Sequence, residues 1–270
     1  MRFFAALWSL RQYPTARREL TWAQKFEKIR AAGFTGVMSP PIPALQERGD
    51  LGYLAITSLV RPDQIEPVFA PALAHGAEGL VVQLARWDTS VAATVELAQA
   101  ALAAGARHRL RVEFETHRNT FLESPERLAE LTAAWTRAGG KPLPVCFDHS
   151  HFALVRHLKP PFWPAFAGDR VVLGRSRFMH LRPFNGHHCQ LPVTLAAGRG
   201  RTQEYRTWLE YVREVFAVFA RHPRADRIIV PELGHESPVY RLSTFPDTWT
   251  DTCATHADLR REWRAALRAR

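Results

Sequence analysis

Three cysteines in 270 residues, Cys146, Cys189 and Cys253, are too few and too scattered for a disulfide framework, and no C-x-x-C pair marks a cysteine zinc site. A reducing, cytoplasmic setting is the expectation. No apolar run reaches the roughly 18 residues of a membrane span, so no membrane association is expected. The opening MRFFAALWSL is cut off by Arg11 without a small-residue cleavage pattern, and reads as a first buried strand rather than a leader. Lysine is scarce as well. Nearly all of the 36 basic residues are arginines, which against 26 acidic ones give a net charge of +10. Because they are spread from Arg2 to Arg270 with no block, they read as solvated surface charge in preference to a patch that grips nucleic-acid phosphates.

What the chain does have is an apolar share of 46% and a charged share of 23%, ordinary for a folded domain with a substantial core. Short apolar runs alternate with amphipathic segments from residue 3 to the end, with no linker, repeat or low-complexity tract. FFAALW, TGVMS, YLAITSLV and GLVVQLA are the first four strand candidates. RVEFETHRNTF, PLPVCFDHSH, SRFMHLRPF and RIIVPELG are the next four. Between them lie TWAQKFEKIRAAG, with Thr21 as N-cap and Gly33 as stop, PDQIEPVFAPALAHG, and an Ala-rich helix expected to end at Gly105. SPERLAELTAAWTRAGG has Ser124 as N-cap and Pro125 at the first helical position; EYRTWLEYVREVFAVFARHP and THADLRREWRAALRAR are the last two helical segments. Eight strands alternating with helices over residues 1–270 predict a single-domain (β/α)8 TIM barrel.

In such a barrel the chemistry gathers at the C-terminal ends of the strands. Glu115, Asp148, His180 and Glu232 fall near the ends of strands five to eight, and their convergence would build a mixed oxygen and nitrogen site for one divalent cation: Mn, Mg, Co or Zn. Each carboxylate alone reads as well as a cap or a loop residue; four equivalent ends are what favour a joint site. In RVEFETHRNTF, Glu113, Glu115 and His117 alternate and would share one strand face, where burial demands a partner. Arg182 reads either as a group holding a substrate hydroxyl, carboxylate or phosphate, or as an ion-pair partner of a barrel carboxylate such as Glu113. His117 reads either as a substrate contact or as a hydrogen-bonded loop histidine. His187 and His188 are assigned to the mouth loops. Trp8 and Trp87 read first as core, with an apolar wall for a sugar as the alternative.

The segments FETHRNTF, FDHSHF, MHLRPFNGHHCQLPV and VPELGHESPVY, in this order and spacing, resemble the xylose isomerase-like TIM barrels, which include sugar-phosphate isomerases and epimerases. The resemblance spans most of the chain. It implies that Glu115, Asp148, His180 and Glu232 hold the metal, that Glu115 and Glu232 are also the catalytic acid/base pair, and that His151, in the Asp-x-x-His pattern from Asp148, contacts substrate or an additional metal; His117, His151, Arg182 and Gln190 are the substrate-binding candidates. The implied enzyme is a metal-dependent sugar or sugar-phosphate isomerase or epimerase with a small sugar-like substrate; a homo-oligomer is compatible with it. Two alternatives keep much of the site: a dehydratase acting on a cyclitol or sugar acid, and the apurinic-site endonuclease branch. The latter draws extra histidines from early strands, whereas His75, the sole histidine before His108, falls in a helical segment.

Overall fold

A computed structural model of the chain describes residues 1–195, 200–234, 240–242 and 244–269. Eight parallel strands close into a barrel in sequence order: β1 Arg2–Ala6, β2 Gly36–Ser39, β3 Gly52–Leu59, β4 Gly79–Leu84, β5 Arg111–Glu115, β6 Val145–Asp148, β7 Phe178–His180 and β8 Ile228–Val230. The ring is sealed where Arg2 and Phe3 pair with Ile228 and Ile229. This is the expected (β/α)8 architecture.

The helices are α1 Trp22–Ala31, α2 Ile65–Ala74, α3 Val91–His108, α4 Pro125–Arg137, α5 His149–Val155, α6 Trp163–Phe166, α7 Arg170–Arg175, α8 Gln203–Arg221 and α9 Thr248–Arg268. Thr21 caps α1 in a reciprocal box with Gln24, and Ser124 accepts from the Arg127 N–H at the start of α4. The β2–β3 connection holds a 3-10 turn, Pro43–Glu47, and the Pro-rich β6–β7 connection holds three short helices, none of them marked in the sequence. Two features depart from the sequence expectation. Helix α9 starts at Thr248, earlier than Thr255, because the Asp247 side chain caps the Thr250 N–H.

Gly105 does not stop α3. A Cβ there would lie 2.7 Å from the Val112 side chain and 2.8 Å from the Leu110 carbonyl, so this glycine permits close approach of helix and strand. The helix ends instead at Arg109, with φ of 55°.

Two apolar layers hold the fold. Inside the ring, Phe4, Met38, Leu54, Ile56, Val81, Cys146, Phe178 and Ile228 pack on one another. Outside it, the alternate strand residues meet the inward stripes of the helices; Tyr205, Trp208, Val212, Val215 and Phe219 of α8 recur at intervals of three and four and are all buried. Glu113 is a buried exception within the barrel. It accepts from Arg111, at 2.8 Å, and from the backbone N–H groups of Arg177 and Phe178, at 3.0 Å each. No helix among the described residues is long and apolar enough to cross a membrane.

Candidate metal centre

Strand register assembles the site. Glu115, Asp148 and His180 are the terminal residues of β5, β6 and β7, Asp148 sits opposite His180, and Glu232 follows β8 by two residues. Asp148 and His180 finish level with each other, Glu115 is level with Cys146 two residues before Asp148, and together these strand ends bring four ligand-type side chains to the barrel mouth. One donor atom from each lies within 4.8 Å of all the others, and all four residues are buried.

His180 Nδ1 is 2.8 Å from Glu115 Oε1 and 2.8 Å from Glu232 Oε2. One imidazole nitrogen carries at most one proton, so it cannot satisfy both carboxylates. Glu232 Oε2 accordingly stands among the buried polar atoms with no hydrogen-bond partner, as does Asp148 Oδ2, which lies 3.3 Å from Arg182 Nε and 3.5 Å from His151 Nε2 without a hydrogen bond to either. Buried acceptors without donors are costly, and an oxygen-rich set with one imidazole suits a hard or borderline divalent cation. The residues fit such an ion, and the cluster could hold one.

The protonation pattern follows from the same crowding. Burial pushes the Glu115 carboxyl up, but His180 outweighs it and the net shift is downward. Burial also opposes ionisation of Glu232, where Arg182 and then His180 reverse it. At Asp148 burial wins over Arg182, and the carboxyl is raised. His180 would be lowered by burial alone; Cys146, Glu115 and Glu232 drive it well above its ordinary value.

The structure brings most of the predicted residues to this mouth. His151, buried on α5, places Nε2 3.5 Å from Asp148 Oδ2 and its ring 4.2 Å from that of His117. Strand β5 ends before His117, which therefore lies in the following loop and not on the strand face with Glu115; its Nδ1 is 2.6 Å from the Arg118 carbonyl. Arg182 pairs with Glu232 and approaches Asp148 at 3.3 Å. Its partner is not Glu113, which lies one layer deeper and is served by Arg111. Gln190 is buried nearby with both ends of its amide engaged by the Gly234 backbone, at 2.7 and 3.0 Å, so any substrate contact would compete with that clasp. Residues 235–239 of the last motif lie outside the described residues.

Above the cluster opens a cavity of about 730 Å3, bordered by His117, Arg182 and Glu232 on the ligand side and by Trp8 and Trp22 among its apolar residues. Trp8 stands in a 3-10 turn after β1, whereas Trp87 is half exposed and does not enter the core. His187 and His188 remain in a mouth loop, their N–H groups both donating to Asn185. His75 caps the end of α2 and does not border the cavity.

Gln83, Ser58 and Tyr240 were not singled out from the sequence, yet all three line the cavity. A lone glutamine in the apolar run GLVVQLA was the legible signal for the first. Tyr240 lies under two guanidinium groups, Arg118 and Arg182, each 4.9 Å from its ring centre.

No family model matches the sequence, and no curated protein does. Solved structures do match. D-allulose 3-epimerase from a Methylomonas species, in complex with D-allulose, aligns with a TM-score of 0.62 at 11% identity, covering 98% of this chain and 97% of that one. A xylose isomerase-like TIM barrel protein from Mycobacterium smegmatis in complex with magnesium aligns at 0.59 and 15%, covering 98% and 97%. The probable 3-DHS dehydratase AsbF from Bacillus anthracis aligns at 0.56 and 13%, covering 96% and 98%. The chain has the xylose isomerase-like TIM barrel fold. At these identities the likeness extends to the fold and no further.

Proposed function

We propose that this protein is a metal-dependent isomerase or epimerase acting on a sugar-like hydroxycarbonyl compound, with or without a phosphate. The observation that carries the reading is the buried quartet of Glu115, Asp148, His180 and Glu232, two of whose carboxylate oxygens make no hydrogen bond and one of whose members, Glu232, borders a substrate-sized cavity. A divalent ion held by these residues would polarise a carbonyl and favour loss of the proton on the adjacent carbon.

Glu115 and Glu232 are the two carboxylates that can exchange that proton, one removing it and the other returning it, in an order set by substrate configuration. Arg182, already neutralising Glu232, offers its guanidinium to the cavity and can orient a substrate oxygen. His117 and His151 sit together at the same mouth as candidate hydroxyl ligands. Trp8 and Trp22 supply apolar walls.

The D-allulose 3-epimerase neighbour supports an epimerase, while AsbF keeps the dehydratase reading in play, since the same proton removal can expel a β-hydroxyl. The endonuclease reading gains no early-strand histidine: the described residues contain one cluster of ligand-type side chains, and all its members come from strands five to eight. Metal analysis of the purified protein, followed by screening ketoses, sugar phosphates and sugar acids in deuterated water, tests the proposal. Deuterium incorporated at carbon supports epimerisation or isomerisation, loss of water supports the dehydratase, and cleavage of abasic DNA without exchange overturns both.

A further inference from the structure

All four candidate ligands come from the late half of the barrel, yet one of them is anchored from the early half. Gln83 of β4 donates through Nε2 to Glu115 Oε2 at 3.0 Å, and Ser58 of β3 donates through its hydroxyl to Gln83 Oε1 at 2.9 Å. The ladder makes this chain of bonds unavoidable. Ser58 is the register partner of Gln83, and Val81 is the partner of Glu113, which carries Gln83 to the level of Glu115 two residues on. On a parallel sheet, side chains at one level point to the same face. Three neighbouring strands thus present Ser58, Gln83 and Glu115 in a row.

The consequence lies in how Glu115 is held. Its Oε1 faces His180 and its Oε2 faces Gln83, so both oxygens have a fixed direction. The Ser58 hydroxyl donates to the amide oxygen of Gln83 and so holds the end of the amide opposite its bond to Glu115. A carboxylate oriented in this way presents the same lone pairs to an ion each time, which raises affinity by removing disorder that binding would otherwise have to suppress.

We propose that Gln83 is a positioning residue for the metal centre, aiming Glu115 at the ion, and that Ser58 fixes the orientation of Gln83. This rests on the metal-site reading above. The test is Mn2+ binding to purified full-length protein, followed by titration calorimetry and by the electron paramagnetic resonance signal of free Mn2+. Gln83→Leu, which keeps volume and removes the donor, weakens Mn2+ binding about 10- to 100-fold, the range for lost partners of metal ligands. Ser58→Ala weakens it by less. In the double variant Ser58→Ala adds nothing to Gln83→Leu, because the hydroxyl acts only through the amide.

Wild-type affinity in Gln83→Leu, or full additivity of the two substitutions, overturns the proposal while leaving the metal site standing. Absence of Mn2+ binding in the wild type overturns both. Circular dichroism and thermal melting check folding of each variant; should Gln83→Leu fail to fold, Gln83→Met and Ser58→Ala carry the test, and wild-type affinity in both counts against the assignment.

Discussion

Arg182 donates through Nη2 to Oε1 of Glu232, and both side chains are buried. The same guanidinium reaches toward Asp148 with Nε. A permanent cation therefore stands between two carboxylates, placed there by the irregular segment that follows β7.

Removing that cation is expected to destabilise the metal-free protein strongly. Arg182→Ala leaves Glu232 and Asp148 in a medium that solvates charge poorly, a change that costs about 3 to 5 kcal/mol when one partner of a buried pair is deleted. Urea denaturation with and without Mn2+ checks it. The ion supplies the missing positive charge, so Mn2+ raises the midpoint more in Arg182→Ala than in the wild type. Equal metal-free stability of the two proteins would contradict this account.

Glu232→Gln and Glu115→Gln keep the shape of each side chain and its capacity to accept a hydrogen bond, but remove the proton-exchanging charge. Each is expected to lower substrate-dependent deuterium exchange by about 100-fold or more, in line with the loss of a positioned acid or base. Circular dichroism should show that both variants keep the barrel fold. Unchanged turnover in either variant removes that glutamate from the proton-transfer step.

The sequence made the barrel legible because each strand is a compact apolar run and most helices announce their caps, as Thr21 and Ser124 do. It made the candidate quartet legible because Glu115, Asp148, His180 and Glu232 are ionisable groups near the ends of four successive strand candidates. Pairing was less accessible. Whether Arg182 meets Glu113 or Glu232 depends on where β7 ends, and a strand of three residues gives no periodicity from which to read that end. Gly105 misled for a related reason: a glycine that stops a helix and one that admits a neighbouring strand look alike until the strand is placed. Gln83 and Ser58 became visible through register, which the sequence does not print.

Glu113 differs from the four proposed metal ligands in having its oxygens fully engaged. It lies one layer below Glu115 and is saturated by Arg111 and by two backbone N–H groups from the entry to β7. Glu113→Ala strands the two backbone donors while the partly exposed Arg111 turns to water, so it is expected to cost on the order of 1 to 3 kcal/mol for each stranded N–H. Residual folded protein should retain wild-type Mn2+ affinity, since none of the four ligands loses a direct partner. Guanidinium denaturation beside calorimetric titration distinguishes the two effects, and lost metal affinity in a well-folded variant would place Glu113 within the site.

Far from the mouth, His256 gives the fold a pH dependence of its own. Its ring stacks on Phe34 with centroids 4.0 Å apart, and Phe3 packs on it at 5.3 Å. Burial first and then Arg260 oppose protonation, against a hydrogen bond to the Ala32 backbone that favours it, and the imidazole is lowered from 6.5 to about 4. In the unfolded chain the same group takes up a proton near its ordinary value. The unfolded state therefore binds more protons between these two values, so stability is complete above about pH 6.5 and drains away as pH falls toward 4. A shift of this size corresponds to roughly 3 kcal/mol across that window. His256→Phe preserves the aromatic contact and abolishes the titration, so its stability should fall less steeply over the same range. Denaturant midpoints measured from pH 7.5 to 4 in both proteins decide the matter: parallel curves would mean that acid sensitivity arises elsewhere, whereas curves that diverge only below pH 6.5 assign it to the cost of charging one imidazole between two phenyl rings.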